Sequence, residues 1–100
     1  MSRPRYYWNN IVKKMITRYP VLRNESSIQA GLYIWAIESA LKETEQLTNG
    51  QQRIKAIEDV YFKKTKTCEG VALELNFSNR TVQYWLNDFV NLVGAKAGFN

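Results

Sequence analysis

The run Val71-Ala72-Leu73-Glu74-Leu75-Asn76-Phe77-Ser78-Asn79-Arg80-Thr81-Val82-Gln83-Tyr84-Trp85 leaves few folds open to this chain. Val71, Leu75, Phe77, Val82 and Trp85 recur at spacings that point into one small core. Ala72 is small where two crossing helices would come closest. Asn76 stands where a turn needs a residue tolerant of positive φ, and Ser78 is a ready N-cap for a second helix. The run predicts two helices joined by a tight turn. Asn79, Arg80, Gln83, Tyr84 and Asn87 are then left on the outer face of the second helix.

The rest of the chain reads as helix too, with the two prolines and five glycines as punctuation. Apolar residues at Tyr7, Ile11, Val12, Met15, Ile16 and Tyr19 predict a helix from about Arg5 to Arg18, closed by Pro20. Caps at Asn24-Glu25-Ser26-Ser27 precede a long helix with an unusually broad apolar side. It carries Ile28, Leu32, Trp35, Ala36 and Ala40, broadened by Tyr33, Ile34, Ile37 and Leu41. The expected end is near Leu47, with Thr48-Asn49-Gly50 as the stop. Such breadth implies two neighbours or a second subunit.

A further helix is expected from Gln51 to about Lys64, then a polar link of Lys63-Lys64-Thr65-Lys66. Thr67 caps a short helix through Leu75. Ser78 opens the last one, whose buried stripe is Val82, Trp85, Leu86, Phe89 and Val90, and Gly94 or Gly98 ends it. The expectation is an all-α fold of about five helices: an N-terminal helical hairpin in segment 1–50, followed by a helix-turn-helix in segment 51–100, sharing one compact domain. Trp35 and Trp85 are expected in the core.

Composition narrows the function. The formal charge is +5, a bias toward a polyanionic partner. It is uneven: residues 1–23 carry Arg3, Arg5, Lys13, Lys14, Arg18 and Arg23 and no acid, whereas residues 24–52 carry one Lys against four Glu. There is no histidine, the commonest general base and metal ligand. No glycine-rich phosphate loop or Cys-X-X-Cys pair occurs. The carboxylates fall largely on polar helix faces, so the chain is not expected to be an enzyme or to need a cofactor or metal. The lone Cys68, with no His to activate it, reads as inert. One cysteine, no signal peptide and no apolar run of the ~20 residues that cross a bilayer point to the cytosol and away from membranes.

What remains is recognition of double-stranded DNA. In a helix-turn-helix, Arg80 lies near the start of the inserted helix, within reach of a guanine or a phosphate; elsewhere it is a solvated charge. Asn79 and Gln83 suit the bidentate pairing with adenine. Tyr84 suits a phosphate or a thymine methyl, and Asn87 is similar. Lys63, Lys64 and Lys66 are either a solvated loop or contacts to the DNA backbone. Thr67 is first a cap, and the helix end it exposes also suits a phosphate; Ser78 belongs to the same surface. The segment Arg3-Pro4-Arg5-Tyr6-Tyr7-Trp8 is either an arm reaching DNA or a basic tail with its aromatics packed on the fold.

Residues from about Trp35 to Phe99 resemble the small phage-encoded transcriptional regulators of the RinA and ArpU type. The stretches that carry the resemblance are Ala36-Ile37-Glu38-Ser39-Ala40-Leu41, Ile57-Glu58-Asp59-Val60-Tyr61-Phe62, and Val71-Ala72-Leu73-Glu74-Leu75 with Phe77-Ser78-Asn79-Arg80-Thr81-Val82. The last also resembles the promoter-reading terminal domain of sigma factors. The chain has Asn76 where glycine is frequent, and Gln83-Tyr84-Trp85 where related proteins often carry more arginine. The resemblance implies a regulator of phage late genes in the bacterial cytoplasm that binds DNA; host RNA polymerase is a candidate second partner. Because one such module reads few base pairs, a homodimer is expected, with the long helix as its surface. The alternatives are a small-terminase-like packaging subunit and a module whose partner is a protein such as RNA polymerase.

Overall fold

Three hydroxyl side chains fix where three helices begin. In a computed structural model that describes residues 8–25 and 27–99, Ser27, Thr67 and Ser78 all take extended backbone. Each accepts, through its side-chain oxygen, the backbone N–H three residues on. That satisfies one of the four donors a helix start leaves without a partner. The helices are α1 (Asn9–Thr17), α2 (Tyr19–Leu22), α3 (Ile28–Glu45), α4 (Gly50–Ile57), α5 (Cys68–Leu75) and α6 (Asn79–Lys96). A π-helical stretch, Glu58–Phe62, continues α4. The fold is all-α.

The sixth helix comes from a correction at the N-terminus. Pro20 does not stop the chain. α1 ends at Thr17, Arg18 leaves the helical geometry, and Pro20 sits in the first turn of the four-residue α2. A first-turn residue has no intrahelical use for its N–H, so proline is tolerated there and Tyr19 stays helical. The expected start near Arg5 and the basic arm up to Tyr7 lie outside the described residues. Trp8, the last aromatic of that arm, is buried.

Two other boundaries move. α3 stops at Glu45, not Leu47, and Asn49, not Gly50, takes the left-handed turn (φ 60°), with Gly50 opening α4. α6 runs through Gly94 to Lys96, and Gly98 (φ 97°) ends it. The Gly98 N–H donates to Ala95 O at 3.3 Å and the Phe99 N–H to Gly94 O at 2.8 Å, a closure that needs a residue tolerant of positive φ. Gly94 has another reason to be glycine: a Cβ there would lie 2.2 Å from Trp8 Cζ3.

α6 is the spine, lying against α1, α3, α4 and α5. One buried cluster joins both halves of the chain: Val12 and Ile16 of α1, Ile37 and Ala40 of α3, Ile57 of α4, Val71 of α5, and Val82, Phe89, Val90 and Val93 of α6. A smaller cluster, Leu22, Ala30 and Tyr33, closes the α2–α3 end. Trp85 is buried as expected. Trp35 is not: it is 56% exposed, because the core side of α3 is the one bearing Ala30, Tyr33, Ala36, Ile37 and Ala40. No described helix is long and apolar enough to cross a membrane.

Candidate nucleic-acid interface

The α5–α6 turn is locked from several directions. Thr67 Oγ1 accepts the Gly70 N–H at 3.1 Å. At the far end of α5, Asn76 takes left-handed backbone (φ 63°, ψ 39°). The Phe77 N–H returns to Ala72 O at 3.0 Å. The Phe77 ring packs edge-on against Trp85, centroids 4.8 Å apart, a geometry aromatic quadrupoles favour. Ser78 Oγ accepts the Thr81 N–H at 3.1 Å. The Cys68 thiol donates to Asn79 O at 3.6 Å, tying the two helix starts together. Burial, and then the Glu69 charge, push that thiol above its ordinary pKa, so it stays protonated.

This frame presents α6 with two unlike sides. Val82, Trp85, Leu86, Phe89, Val90 and Val93 are buried. Asn79, Arg80, Gln83, Tyr84 and Asn87 are all exposed. The five expected outer residues therefore do share one surface.

Arg53 braces α6 from behind, a role with no signal in the sequence. Its Nε donates to Thr48 O at 3.0 Å, its Nη1 lies 3.5 Å from Asp88 Oδ2, and its guanidinium lies 5.8 Å from the Trp85 ring centroid. These partners span 40 residues of chain from Thr48 to Asp88, so no local pattern carries them.

The lysine loop divides into two. Lys63 and Lys64 are exposed, with Lys64 at φ 56°. Lys66 instead turns inward to Asp59 Oδ2 at 3.5 Å and to Glu74. Lys55 meets the same two carboxylates, at 3.1 Å and 3.3 Å. Asp59 is 4% exposed and its backbone O also accepts the Thr65 N–H at 3.0 Å. Burial alone would raise the Asp59 pKa, but the hydrogen bonds and charges of Lys55 and Lys66 outweigh it and hold the carboxyl below its ordinary range. Hydrogen bonds from Lys66 and Lys55 likewise lower Glu74. The π-helical stretch makes this possible. Its wider turn, closed by the Lys63 N–H on Glu58 O at 2.7 Å, ends α4 with Asp59 under the loop.

One basic residue joins the surface from far away in sequence. Lys13 of α1, with Val60 and Tyr61 of the π-helical stretch and Gln83, Leu86 and Asn87 of α6, lines an open cleft of about 360 Å³. Burial of the neighbouring Val12 and Ile16 fixes α1 so that Lys13 faces this edge. The basic bias of the first 23 residues was visible in sequence; its position beside Gln83 and Asn87 was not.

Comparison of the chain with known protein families, characterised proteins and solved structures found no match.

Proposed function

We propose that this chain binds double-stranded DNA sequence-specifically and regulates transcription, with α6 as the helix that enters the major groove. The observation that carries this is the partition of α6. A fully buried apolar stripe and a capped N-terminus hold it rigidly, while Asn79, Arg80, Gln83, Tyr84 and Asn87 face outward. Rigid presentation of amide and guanidinium groups is what base-edge recognition needs. Arg80 pairs with a guanine, Asn79 and Gln83 with adenine, and Tyr84 and Asn87 with a thymine methyl or the backbone.

Affinity then comes from phosphate contacts, which position the protein without reading sequence. Lys13, which shares a cleft with Gln83 and Asn87 of α6, and the exposed Lys63 and Lys64 of the loop before α5 take this role, with the Thr67 end of α5. Lys66 acts indirectly, holding the loop through Asp59 and Glu74. By its resemblance to RinA- and ArpU-type regulators, the proposal extends to late genes of a phage in a bacterial cell, with host RNA polymerase as a candidate further partner. No catalytic step, metal or cofactor enters this proposal.

The test is a gel-shift titration on a duplex selected by the wild-type protein. Arg80→Ala weakens specific binding by about 1–3 kcal/mol, and Lys63→Ala weakens all sequences alike and reduces the salt slope by about one. An unchanged affinity for Arg80→Ala removes α6 as the reading helix.

A further inference from the structure

α3 is apolar on the side it turns away from the core. Ala30, Tyr33, Ala36, Ile37, Ala40 and Thr44 are buried. On the opposite side Ile28, Leu32 and Trp35 are 95%, 43% and 56% exposed. Their spacing of four and then three residues places them in one stripe. Gly31 lies beside the stripe, in the first turn of α3. A Cβ added to it would meet nothing within 4 Å, so no contact among the described residues requires glycine there. Lys96 lies 6.0 Å from the Trp35 ring centroid and pairs with Glu43, which leaves the rest of the indole open.

We infer that this stripe is the contact between two copies of the chain, packed as antiparallel α3 helices about a twofold axis near residues 32–35. The apolar stripe can face itself in either direction, but only the antiparallel pairing sets opposite charges rather than like charges at its ends. Leu32 of one copy meets Trp35 of the other, and the bulky indole covers the space that Gly31 leaves empty. The same register brings Glu25, which within its own chain also meets Arg18 at 3.3 Å, toward the second copy's Lys42, so that opposite charges close each end. The three apolar side chains present roughly 400 Å² per copy, within the range for the largest patch on a monomer. That supplies the apolar centre of an interface of about 800 Å² per partner, with polar residues as its rim. The inference stands on the α3 surface alone and does not depend on DNA binding.

Sedimentation equilibrium over a series from low micromolar to submillimolar protein tests it. The mass is expected to rise from the 11.7 kDa of one chain to twice that value and no further. Trp35→Glu and Leu32→Glu each shift the dissociation constant by at least about tenfold while helical circular dichroism is unchanged. Both side chains are exposed, so neither substitution disturbs the core. Leu73→Glu, on the 81% exposed Leu73 of α5, leaves the equilibrium where it was. A monomer at every concentration overturns the inference; residues 1–7 of the same chain, or an unrelated protein, then cover the stripe. A species larger than a dimer, or a dimer weakened by Leu73→Glu but not by Trp35→Glu, overturns it equally.

Discussion

α3 and α6 are each 18 residues long and each begins on a serine cap, yet they meet solvent in opposite ways. α6 spends its large apolar residues inward and leaves amides, a guanidinium and a phenol outside. α3 faces the core partly with alanines and carries Ile28, Leu32 and Trp35 outward. Length, capping and helix propensity do not separate the two. The partition of side chains around the axis does, and it leaves one outer face polar and the other apolar.

The sharpest break of this comparison is a pair of aromatic truncations. Phe89 is 1% exposed in α6, so Phe89→Ala costs about 3–5 kcal/mol in urea unfolding, the sum of lost transfer energy and a cavity. Trp35→Ala, removing a larger ring from α3, changes monomer stability by no more than about 0.5 kcal/mol. Comparable losses at the two positions would mean that the outer face of α3 is packed after all.

Next is alkaline unfolding, which asks whether the ground beneath α6 is dry. Burial pushes the phenol of Tyr61 up from 10.0 to about 12. Burial, followed by the hydrogen bond to Glu38, does the same for Tyr19. A raised phenol pKa stabilises the fold fully below pH 10, and that contribution is lost as pH climbs through about 12. For Tyr61 the loss is of order 2–3 kcal/mol. Urea midpoints that fall between pH 10 and 12, and are flatter in Tyr61→Phe, are expected. Tyr61 titrating at 10 by ultraviolet absorbance would show water beneath the helix.

The caps give a smaller effect and a symmetrical one. Ser78→Ala and Ser27→Ala each remove one acceptor at a helix start and cost about 1 kcal/mol by thermal denaturation. A several-fold larger loss at either would mean that cap holds tertiary structure as well. Smallest of all, Gly31→Ala in the Trp35→Glu background raises stability by about 0.5–1 kcal/mol, since the added methyl meets open space. A loss there would reveal a neighbour that the fold does not show.

How much of this was legible in the sequence depended on distance along the chain. Thr67, Asn76 and Ser78 act on residues within three or four positions, and the structure places each in its expected local role. The outer row of α6 followed from the same period. α1 ends within a residue of the expected Arg18, but the short α2 that follows was not legible, because a proline beyond one helix equally suits the first turn of the next. Trp35 was misjudged because an all-round apolar helix does not disclose which side the fold takes. Lys66 looked like its neighbours Lys63 and Lys64, and only the folded placement of Asp59 and Glu74 separates it from them. Arg53 across to Asp88, and Lys13 beside Gln83 and Asn87, pair segments tens of residues apart, and no periodicity encodes such pairs.

The central claim, that α6 reads DNA, is tested most directly by selecting bound duplexes from a random library and titrating the winner against salt. The account predicts one enriched motif, bound roughly a thousandfold or more tighter than unrelated duplex. Its affinity should fall steeply as salt rises, as phosphate contacts require. No enriched motif, together with no duplex binding at low salt, would contradict it and leave the polar face of α6 to a protein partner.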